Sequence, residues 1–394
     1  MKKLPFSLIS ILLVAVNAAH AADNKPHPPS LLIETTRNAD RQSIDDLFSE
    51  TGCTIIGEAH SFKSGIHVIE VAPKNGTLAD IKSKIEKAKN SNIKSIEITP
   101  VTTINSLPND PDSPQQYALD IMSFSSALNL IGNHQRQTPR FTIVDTGVSL
   151  VHGELVNVHQ YNFVNGANGT PEPPFDSGIH GTAVCGTGAA TTGNRTLIAG
   201  VGTSNLPVNV TSCRISNDGS AINTLDVIDA FLWCIDNQRL RGGAGPINVS
   251  LASTTPPSYN GSSVVQDIAH ALRDQGDLLV LGSGNTGTED PSPELYARRV
   301  AATDENNQLA PFSVFGPFHA AAPGVNIIII PSLAYASGTS LSTPYWAGSI
   351  TLLQSLNPRL NAVQADTILY NTATITSAGY HIPNIFKAVN AARF

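Results

Sequence analysis

The strongest constraint on the fold is the regular alternation of continuous apolar segments with amphipathic ones between residues 141 and 330. Continuous apolar segments are typical of strands that a sheet buries on both faces, and the amphipathic segments between them predict helices. The predicted strands are residues 141–144, 246–251, 278–281 and 327–330, and the predicted helices are residues 225–235 and 264–272. This order predicts an α/β fold with a mostly parallel central sheet flanked by helices on both faces.

A turn of small residues, Ser-Gly-Thr-Ser at 337–340, gives the first indication of chemistry. It precedes apolar residues at helical spacing that extend to Leu356, with Pro344 expected near the helix start, where proline removes no helical hydrogen bond. A serine at a helix N-terminus lies beside free backbone N–H groups that stabilise an anion. Ser340 is therefore a candidate nucleophile, although the same turn is also compatible with a simple helix cap.

Three more polar residues lie at the ends of predicted elements. Asp145 directly follows the strand at 141–144, His180 begins a small-residue helical segment, and Asn285 follows the strand at 278–281. Acyl transfer needs a nucleophile, a base, a carboxylate that orients the base and a donor for the oxyanion. Together with Ser340 these residues supply one of each, in the chain order Asp, His, Ser that subtilisin has.

The four residues lie in short motifs with a family-like order. These motifs are residues 143–147 (IVDTG), 180–184 (HGTAV), 282–287 (GSGNTG) and 338–344 (GTSLSTP). They resemble the subtilisin-like serine peptidases, the subtilases of peptidase family S8, and the resemblance covers about residues 109–394. It implies a secreted serine endopeptidase that hydrolyses peptide bonds of proteins through an acyl-enzyme intermediate.

The resemblance also implies a role for each residue. Asp145 would orient the imidazole, His180 would act as general base and acid, Ser340 would be the nucleophile, and Asn285 would donate to the oxyanion. Residues 250–252 would pair with an extended substrate as an added strand. The implied substrate-binding residues are Ser250, Leu251, Ala252, Leu281, Gly282 and Ser283.

The N-terminal residues have the composition of an export signal. Lys2 and Lys3 precede a short apolar segment at residues 8–16, and residues 19–21 (AHA) match a cleavage site. We therefore predict a cleavable signal peptide over residues 1–21 and a secreted or periplasmic protein. No later segment is apolar over the length that a membrane crossing needs, so no membrane contact is expected in the mature form.

Residues 22–108 differ in composition from the rest of the chain, because every lysine after the signal peptide except Lys387 lies there. The predicted elements of this part are strands at 54–56, 66–71 and 93–98 and a helix at 77–90. They predict a small α/β domain before the proline-rich stretch at 100–114, which predicts a linker or a processed loop.

The resemblance implies that residues 22–108 are a propeptide and residues 109–394 the catalytic domain. In subtilases such a propeptide assists folding and occupies the active-site cleft, so this one is expected to be an intramolecular inhibitor. We expect Ser340 itself to cut the chain within residues 103–107.

The other expected partners are protein or peptide substrates, and the enzyme is expected to be a monomer. A net charge of −7 without a basic patch argues against nucleic acid. No cofactor is expected to be required. Many subtilases bind calcium, but residues 191–200 do not match the usual ligand loop, so no metal ligand is assigned. Cys213 and Cys234 could form a disulfide in an oxidising compartment, and the sequence leaves this open.

Two other classes fit parts of the pattern. The Asp-Thr-Gly at 145–147 and the Asp-Ser-Gly at 176–178 resemble aspartic peptidase triplets, but Val148 and Ile179 follow where that class has Ser or Thr. A secreted binding protein on an inactive protease scaffold is the second alternative, and the complete set of four catalytic residue types argues against it. A zinc metallopeptidase is excluded because the chain has no H-E-x-x-H motif.

Overall fold

The computed structural model describes residues 30–36, 38–61, 66–98, 108–132, 135–217, 219, 222–251 and 262–392. The chain divides between Thr102 and Thr103 into two compact units. The predicted signal peptide, the predicted cleavage region at 103–107 and the predicted substrate-binding residue Ala252 lie outside the described residues.

The first unit is a four-stranded antiparallel sheet with two helices. Its elements are β1 (Leu31–Thr35), α1 (Arg41–Thr51), β2 (Cys53–Ser61), β3 (Ile66–Pro73), α2 (Leu78–Lys87) and β4 (Ile93–Ile98). The strand order is β2-β3-β1-β4. Thr77 and Asp80 form a capping box at the start of α2, and this helix buries Ile81 and Ile85. The small α/β domain is confirmed, whereas β1 and α1 were not predicted.

The second unit is built on an eight-stranded sheet. Its strands are β5 (Arg140–Asp145), β6 (Asn157–Asn162), β7 (Thr170–Glu172), β8 (Asn209–Arg214), β9 (Pro246–Val249), β10 (Leu278–Gly282), β11 (Arg298–Thr303) and β12 (Ala321–Pro323). The order is β12-β11-β10-β9-β5-β8-β6-β7. Neighbouring strands are parallel except β6 and β7, which are antiparallel. The predicted mostly parallel sheet is confirmed.

Helices cover both faces of this sheet. They are α3 (Tyr117–Ile121), α4 (Phe124–Ile131), α5 (His180–Ala189), α6 (Thr224–Asp236), α7 (Ser263–Asp274), α8 (Thr339–Leu356), α9 (Ala362–Thr372) and α10 (Ile385–Ala392), with a 3₁₀ turn at Ser113–Gln115. The larger apolar core contains residues of α5 and α8. A second core contains residues of α6 and α7, on the opposite face of the sheet.

Two short hairpins complete the second unit. They pair β13 (Ile327–Ile329) with β14 (Ala334–Ala336), and β15 (Thr374–Ile375) with β16 (His381–Ile382). The apolar segment at 327–330 therefore does form a strand, but in an antiparallel hairpin that precedes α8 and not in the parallel sheet. Of the helices in the described part of the chain, none has the length and apolar character to cross a membrane. The thiols of Cys213 and Cys234 are both buried and free.

Candidate active site

The predicted catalytic residues lie at the ends of elements in the second unit. Asp145 is the last residue of β5, His180 is the first residue of α5, and Ser340 lies in the first turn of α8. Asn285 follows β10, which ends at Gly282. The carboxyl ends of β5 and β10 meet at one edge of the parallel sheet, which is where α/β folds place their ligand sites.

A short hydrogen bond joins Asp145 to His180. Asp145 is 1% exposed, and its Oδ1 lies 2.7 Å from His180 Nδ1 and accepts at 2.8 Å from the backbone N–H of Thr146. The charge of Asp145 is the main cause that raises the pKa of His180, and burial opposes it. Because a carboxylate only accepts, Nδ1 must carry the proton. The other ring nitrogen, Nε2, is then the acceptor of the neutral imidazole, whose side chain is 38% exposed.

Glycine at position 181 permits this close approach. A Cβ at Gly181 would lie 2.1 Å from the carbonyl oxygen of Gly147 and 3.2 Å from Oδ1 of Asp145. Any larger residue would therefore push the start of α5 away from the end of β5. The glycine that follows His180 is required by packing against the strand that carries Asp145.

Ser340 forms two hydrogen bonds with Ser250. Its hydroxyl donates to the carbonyl oxygen of Ser250 at 3.1 Å, and the hydroxyl of Ser250 donates to the carbonyl oxygen of Ser340 at 2.8 Å. Among the described residues Ser340 Oγ makes no hydrogen bond to His180. The predicted nucleophile and the predicted base are therefore not hydrogen-bonded to each other in this structure.

The position of Pro344 explains why the carbonyl oxygen of Ser340 can accept a hydrogen bond from Ser250. It also differs from the predicted position. Pro344 lies inside α8 in its second turn, not near the helix start as predicted. In a regular helix the residue four positions after Ser340 donates to its carbonyl. Proline has no N–H, so the carbonyl of Ser340 is left without a helical donor, and Ser250 supplies one.

Asn285 is exposed and oriented by Thr339, the residue before Ser340. Its Oδ1 accepts from the backbone N–H of Thr339 at 2.9 Å and from the hydroxyl of Thr339 at 3.0 Å. Both bonds occupy the carbonyl end of the amide, so Nδ2 is the end that remains available to donate. A Cβ placed on Gly338 would lie 3.5 Å from this Nδ2, so the amide lies directly beside the turn that presents Ser340.

The predicted substrate-binding residues have different surroundings. Ser250 is buried beside Ser340, and the partly buried Leu251 packs against the core that contains α6 and α7. Leu281 is part of that core, and the buried Ser283 donates to the carbonyl of Val314 at 3.0 Å. A Cβ on Gly282 would lie 3.3 Å from Thr343 Oγ1. Their predicted substrate contacts stay predictions.

Sequence reasoning missed three residues around the Asp145–His180 pair: Thr146, Asp176 and Thr182. The carboxylate of Asp176 accepts from the hydroxyl of Thr146 at 2.8 Å, from the backbone N–H of Gly178 at 3.0 Å, and from the N–H and hydroxyl of Thr182 at 2.8 and 2.6 Å. The sequence pattern indicates Asp176 only as part of a possible aspartic peptidase triplet. Its oxygens are occupied by these donors and do not share a site with Asp145, so the geometry gives that alternative no support.

Two carboxyl groups have the chemistry of a calcium site. Glu154 is 1% exposed, and neither of its carboxylate oxygens has a hydrogen-bond partner among the described residues. Burial, and after it the charge of Asp110, raises the pKa of Glu154 to about 8. Asp110 in turn accepts from the backbone N–H groups of Gly193 and Asn194. Carboxylate oxygens are ligands that calcium prefers, and those of Glu154 have no hydrogen-bond partner in the described part of the chain, so these two residues fit the ion in donor type. Within the described residues no group of three or more His, Cys, Asp or Glu could hold a metal ion.

Comparison with known proteins agrees with this architecture. The chain is 34% identical to subtilisin Savinase of Lederbergia lenta over 244 residues, which cover 60% of this chain and 83% of that protein. It is 27% identical to the thermostable alkaline protease of Halalkalibacterium halodurans over 384 residues, which cover 95% and 93% of the two chains.

A solved protease structure from Pseudoalteromonas arctica has a similar fold. It matches with a TM-score of 0.58 and 24% identity, over 73% of this chain and all of that one. Residues 138–387, which are more than half of this chain, match the model of the Peptidase_S8 family, described as the subtilase family. The chain therefore belongs to the subtilase family and is a serine-type endopeptidase.

Proposed function

We propose that this endopeptidase hydrolyses peptide bonds of proteins through a triad of Asp145, His180 and Ser340 with an acyl-enzyme intermediate. The observation that carries the proposal is the 2.7 Å contact between Asp145 Oδ1 and His180 Nδ1. It defines which imidazole nitrogen can accept a proton. Ser340 then supplies the nucleophile, and Asn285 and the N-terminus of α8 supply the oxyanion donors, at the same edge of the sheet.

The first step requires one rearrangement of Ser340. Its hydroxyl leaves the carbonyl of Ser250 and donates to Nε2 of His180. Oγ then attacks the scissile carbonyl carbon, a C–O bond forms, and the hydroxyl proton passes to Nε2. Asp145 stabilises the imidazolium that results, because its charge already favours the protonated ring.

The oxyanion that forms in this step is stabilised by two donors. One is Nδ2 of Asn285, whose Oδ1 is held by Thr339, and the other is the backbone N–H of Ser340 in the first turn of α8. When the C–N bond breaks, imidazolium donates its proton to the leaving amine. Water then attacks the ester carbon, again with His180 as base, and releases Ser340.

Substrate binding is assigned to two segments, residues 250–252 and residues 281–283. Residues 250–252 would pair with the extended substrate backbone. Together with residues 281–283 they would also form the wall of the pocket for the side chain before the scissile bond. Calcium is not required for the chemical step. If bound, it would be held by Asp110 and Glu154 and would contribute only to folding stability.

We also propose that the enzyme is secreted as a zymogen. Residues 1–21 would be the signal peptide, residues 22–108 a self-cleaved propeptide that inhibits the active site, and the mature enzyme would be a monomer in the periplasm or the medium. Support for the propeptide is that its described residues, 30–36, 38–61 and 66–98, have their own sheet and apolar core.

A serine-directed fluorophosphonate probe tests the proposed nucleophile. Wild type should be labelled at Ser340, as found by peptide mapping, and Ser340→Ala should not be labelled. Ser337→Ala is the matched control, because it removes an exposed serine from the same turn and should keep full labelling. Absence of labelling in wild type would favour a binding protein on an inactive scaffold.

A further inference from the structure

Asp176 is a second buried carboxylate next to the Asp145–His180 pair. It is 9% exposed, and its two oxygens accept four hydrogen bonds from Thr146, Gly178 and Thr182. Its own backbone N–H donates to the hydroxyl of Ser149 at 3.1 Å. A carboxylate with this many donors is held in one orientation, so it can serve as a fixed anchor for the segments around it.

Thr146 connects this anchor to both members of the pair. Its backbone N–H donates to Oδ1 of Asp145, and its hydroxyl oxygen accepts from the N–H of Gly181 at 2.9 Å. Because the hydroxyl accepts there, its single proton must go elsewhere, and it goes to Asp176. One threonine therefore links the catalytic carboxylate, the residue after His180 and Asp176.

The start of α5 depends on these outside contacts. The residue before it, Ile179, has φ +63° and offers no side-chain cap. A β-branched residue in this region of the backbone is strained. The free N–H groups of the first turn are instead satisfied by Thr146, at Gly181, and by Asp176, at Thr182. The position of His180 at this helix start is thus set by residues outside the helix.

We propose that Asp176 is a positioning residue, which acts through Thr146 and Thr182 to hold His180 against Asp145. The inference rests on the proposed function, because it assigns His180 as the base. Asp176 does not touch the reacting atoms. Its effect should appear as a lower turnover number and a changed pH profile, with little change in KM.

The charges around His180 make the pH effect specific. Asp145 is the main cause that raises the pKa of His180, burial opposes it, and Asp176 adds to the rise. The elements that pack most closely against α5 are α8, β5 and β13, and of these only β5 carries charged residues, Arg140 at its start and Asp145 at its end.

Two neutral groups complete the surroundings. Burial raises the pKa of Cys185 on α5 and that of Tyr345 on α8, so both stay uncharged across the working pH range. Among these elements and the loop before α5, Asp176 is the carboxylate besides Asp145 whose charge acts on the imidazole.

The test uses Asp176→Asn and a matched control, Asp226→Asn. Asp226 is 3% exposed and likewise accepts from backbone N–H groups, those of Asn165 and Gly166, but it lies on α6 across the sheet. Both variants should lose thermal stability. Asp176→Asn should also lower kcat by about tenfold and shift the acid limb of kcat/KM to lower pH by about 0.5 unit, because one negative charge is removed.

A second measurement does not depend on peptidase activity. In the Ser340→Ala background, NMR titration of the His180 ring protons should show the same downward shift on Asp176→Asn and none on Asp226→Asn. If wild type shows no hydrolysis, the proposed function fails, yet this titration still decides the role of Asp176. An unchanged midpoint in Asp176→Asn, with only stability reduced, would overturn the proposal.

Thr146 provides a milder pair of variants in case Asp176→Asn does not fold. Thr146→Ser keeps the hydroxyl and should retain the wild-type pH profile and kcat. Thr146→Val removes the hydroxyl and with it the bonds to Asp176 and Gly181, so kcat should fall. Equal kcat values in the two Thr146 variants would contradict the linking role of the hydroxyl and overturn the proposal.

Discussion

Ser250 and Ser340 are joined by two reciprocal hydrogen bonds, in which each hydroxyl donates to the backbone carbonyl of the other residue, at 2.8 and 3.1 Å. The bond to the carbonyl of Ser340 exists because Pro344 cannot donate to it. This arrangement fixes the first turn of α8 to the end of β9. Ser340, the proposed nucleophile, is therefore positioned by a contact between two segments that lie 90 residues apart in sequence.

Ser250→Ala should destabilise the protein by about 1 kcal/mol, because it removes the hydroxyl that donates to the carbonyl of Ser340. In the Pro344→Ala background the loss should be smaller, since the N–H restored at position 344 can donate to that carbonyl instead. A double-mutant cycle measured by chemical denaturation checks the coupling. Additive effects of the two substitutions would show that proline is not the cause of the Ser250 contact.

Ser340→Ala should reduce hydrolysis of peptide substrates by several orders of magnitude while the fold is retained, because no other nucleophile is available. The variant should also keep its propeptide. Expression in a host without other exported proteases, followed by N-terminal sequencing, checks both: wild type should begin within about residues 103–107, and the variant near Ala22. Equal processing of the two proteins would show cleavage by another enzyme.

Asn285→Ala should lower kcat by about 10²–10³-fold and change KM little, since the amide acts mainly on the oxyanion of the transition state. Steady-state kinetics on one chromogenic peptide separate the two constants. Asn306→Ala, which changes an exposed asparagine in a turn, is the control and should behave as wild type. A raised KM with kcat unchanged would mean that Asn285 binds the ground state instead.

The rate should rise with pH as His180 loses its proton, because only the neutral imidazole accepts the proton of Ser340. The charge of Asp145 raises the pKa of His180, so the midpoint should lie above that of an ordinary histidine. A profile of kcat/KM from pH 4 to 10 checks this. Activity that peaks below about pH 5 would indicate a carboxylate mechanism.

Calcium should raise the melting temperature more at pH 9 than at pH 6. The pKa of Glu154 is raised to about 8, so below that pH the folded protein keeps a proton on this carboxyl group. The unfolded chain loses the same proton at lower pH, so this carboxyl group increasingly destabilises the fold as pH rises toward 8. A cation competes with the proton and is favoured when the proton is lost. Thermal unfolding with calcium or chelator at both pH values checks the sign.

Glu154→Gln should remove most of the rise in melting temperature that calcium causes, because it replaces a carboxylate that is unpaired among the described residues with a neutral amide. Glu289→Gln, at an exposed position, is the matched control and should keep the full response. A calcium response of equal size in both variants would place the ion elsewhere.

The sequence predicted the architecture of the second unit from its most apolar strands, but it missed those with mixed or short patterns. β6 is polar except for Val158 and Tyr161, β7 and β12 have only three residues each, and β8 is polar at four of its six positions. In the first unit, α1 was missed because its apolar residues form one short cluster. Such elements are stabilised by neighbours in space, which local patterns do not reveal.

The candidate site shows the same limit. Asp145, His180, Asn285 and Ser340 could be proposed because each follows or begins a recognisable element. The contacts that orient them could not, because Asp176 meets Thr146 across 30 residues and Ser250 meets Ser340 across 90. Pro344 was misplaced for a related reason: the turn at 337–340 looked like the segment before a helix, whereas Thr339 is already helical.

The burial of α8 has a consequence for how the molecule is made. Nearly every residue from Thr339 to Leu356 is buried, and the helix packs on β5, β9, β10 and β11, which come from distant parts of the chain. An isolated helix of this composition has no surface to pack its apolar residues against until those strands are assembled. We therefore expect it to form late in folding. Folding dominated by such distant contacts is slow, so we expect Ser340 to reach its final position only late in folding. We therefore expect a newly made chain to lack peptidase activity until most of the second unit has folded.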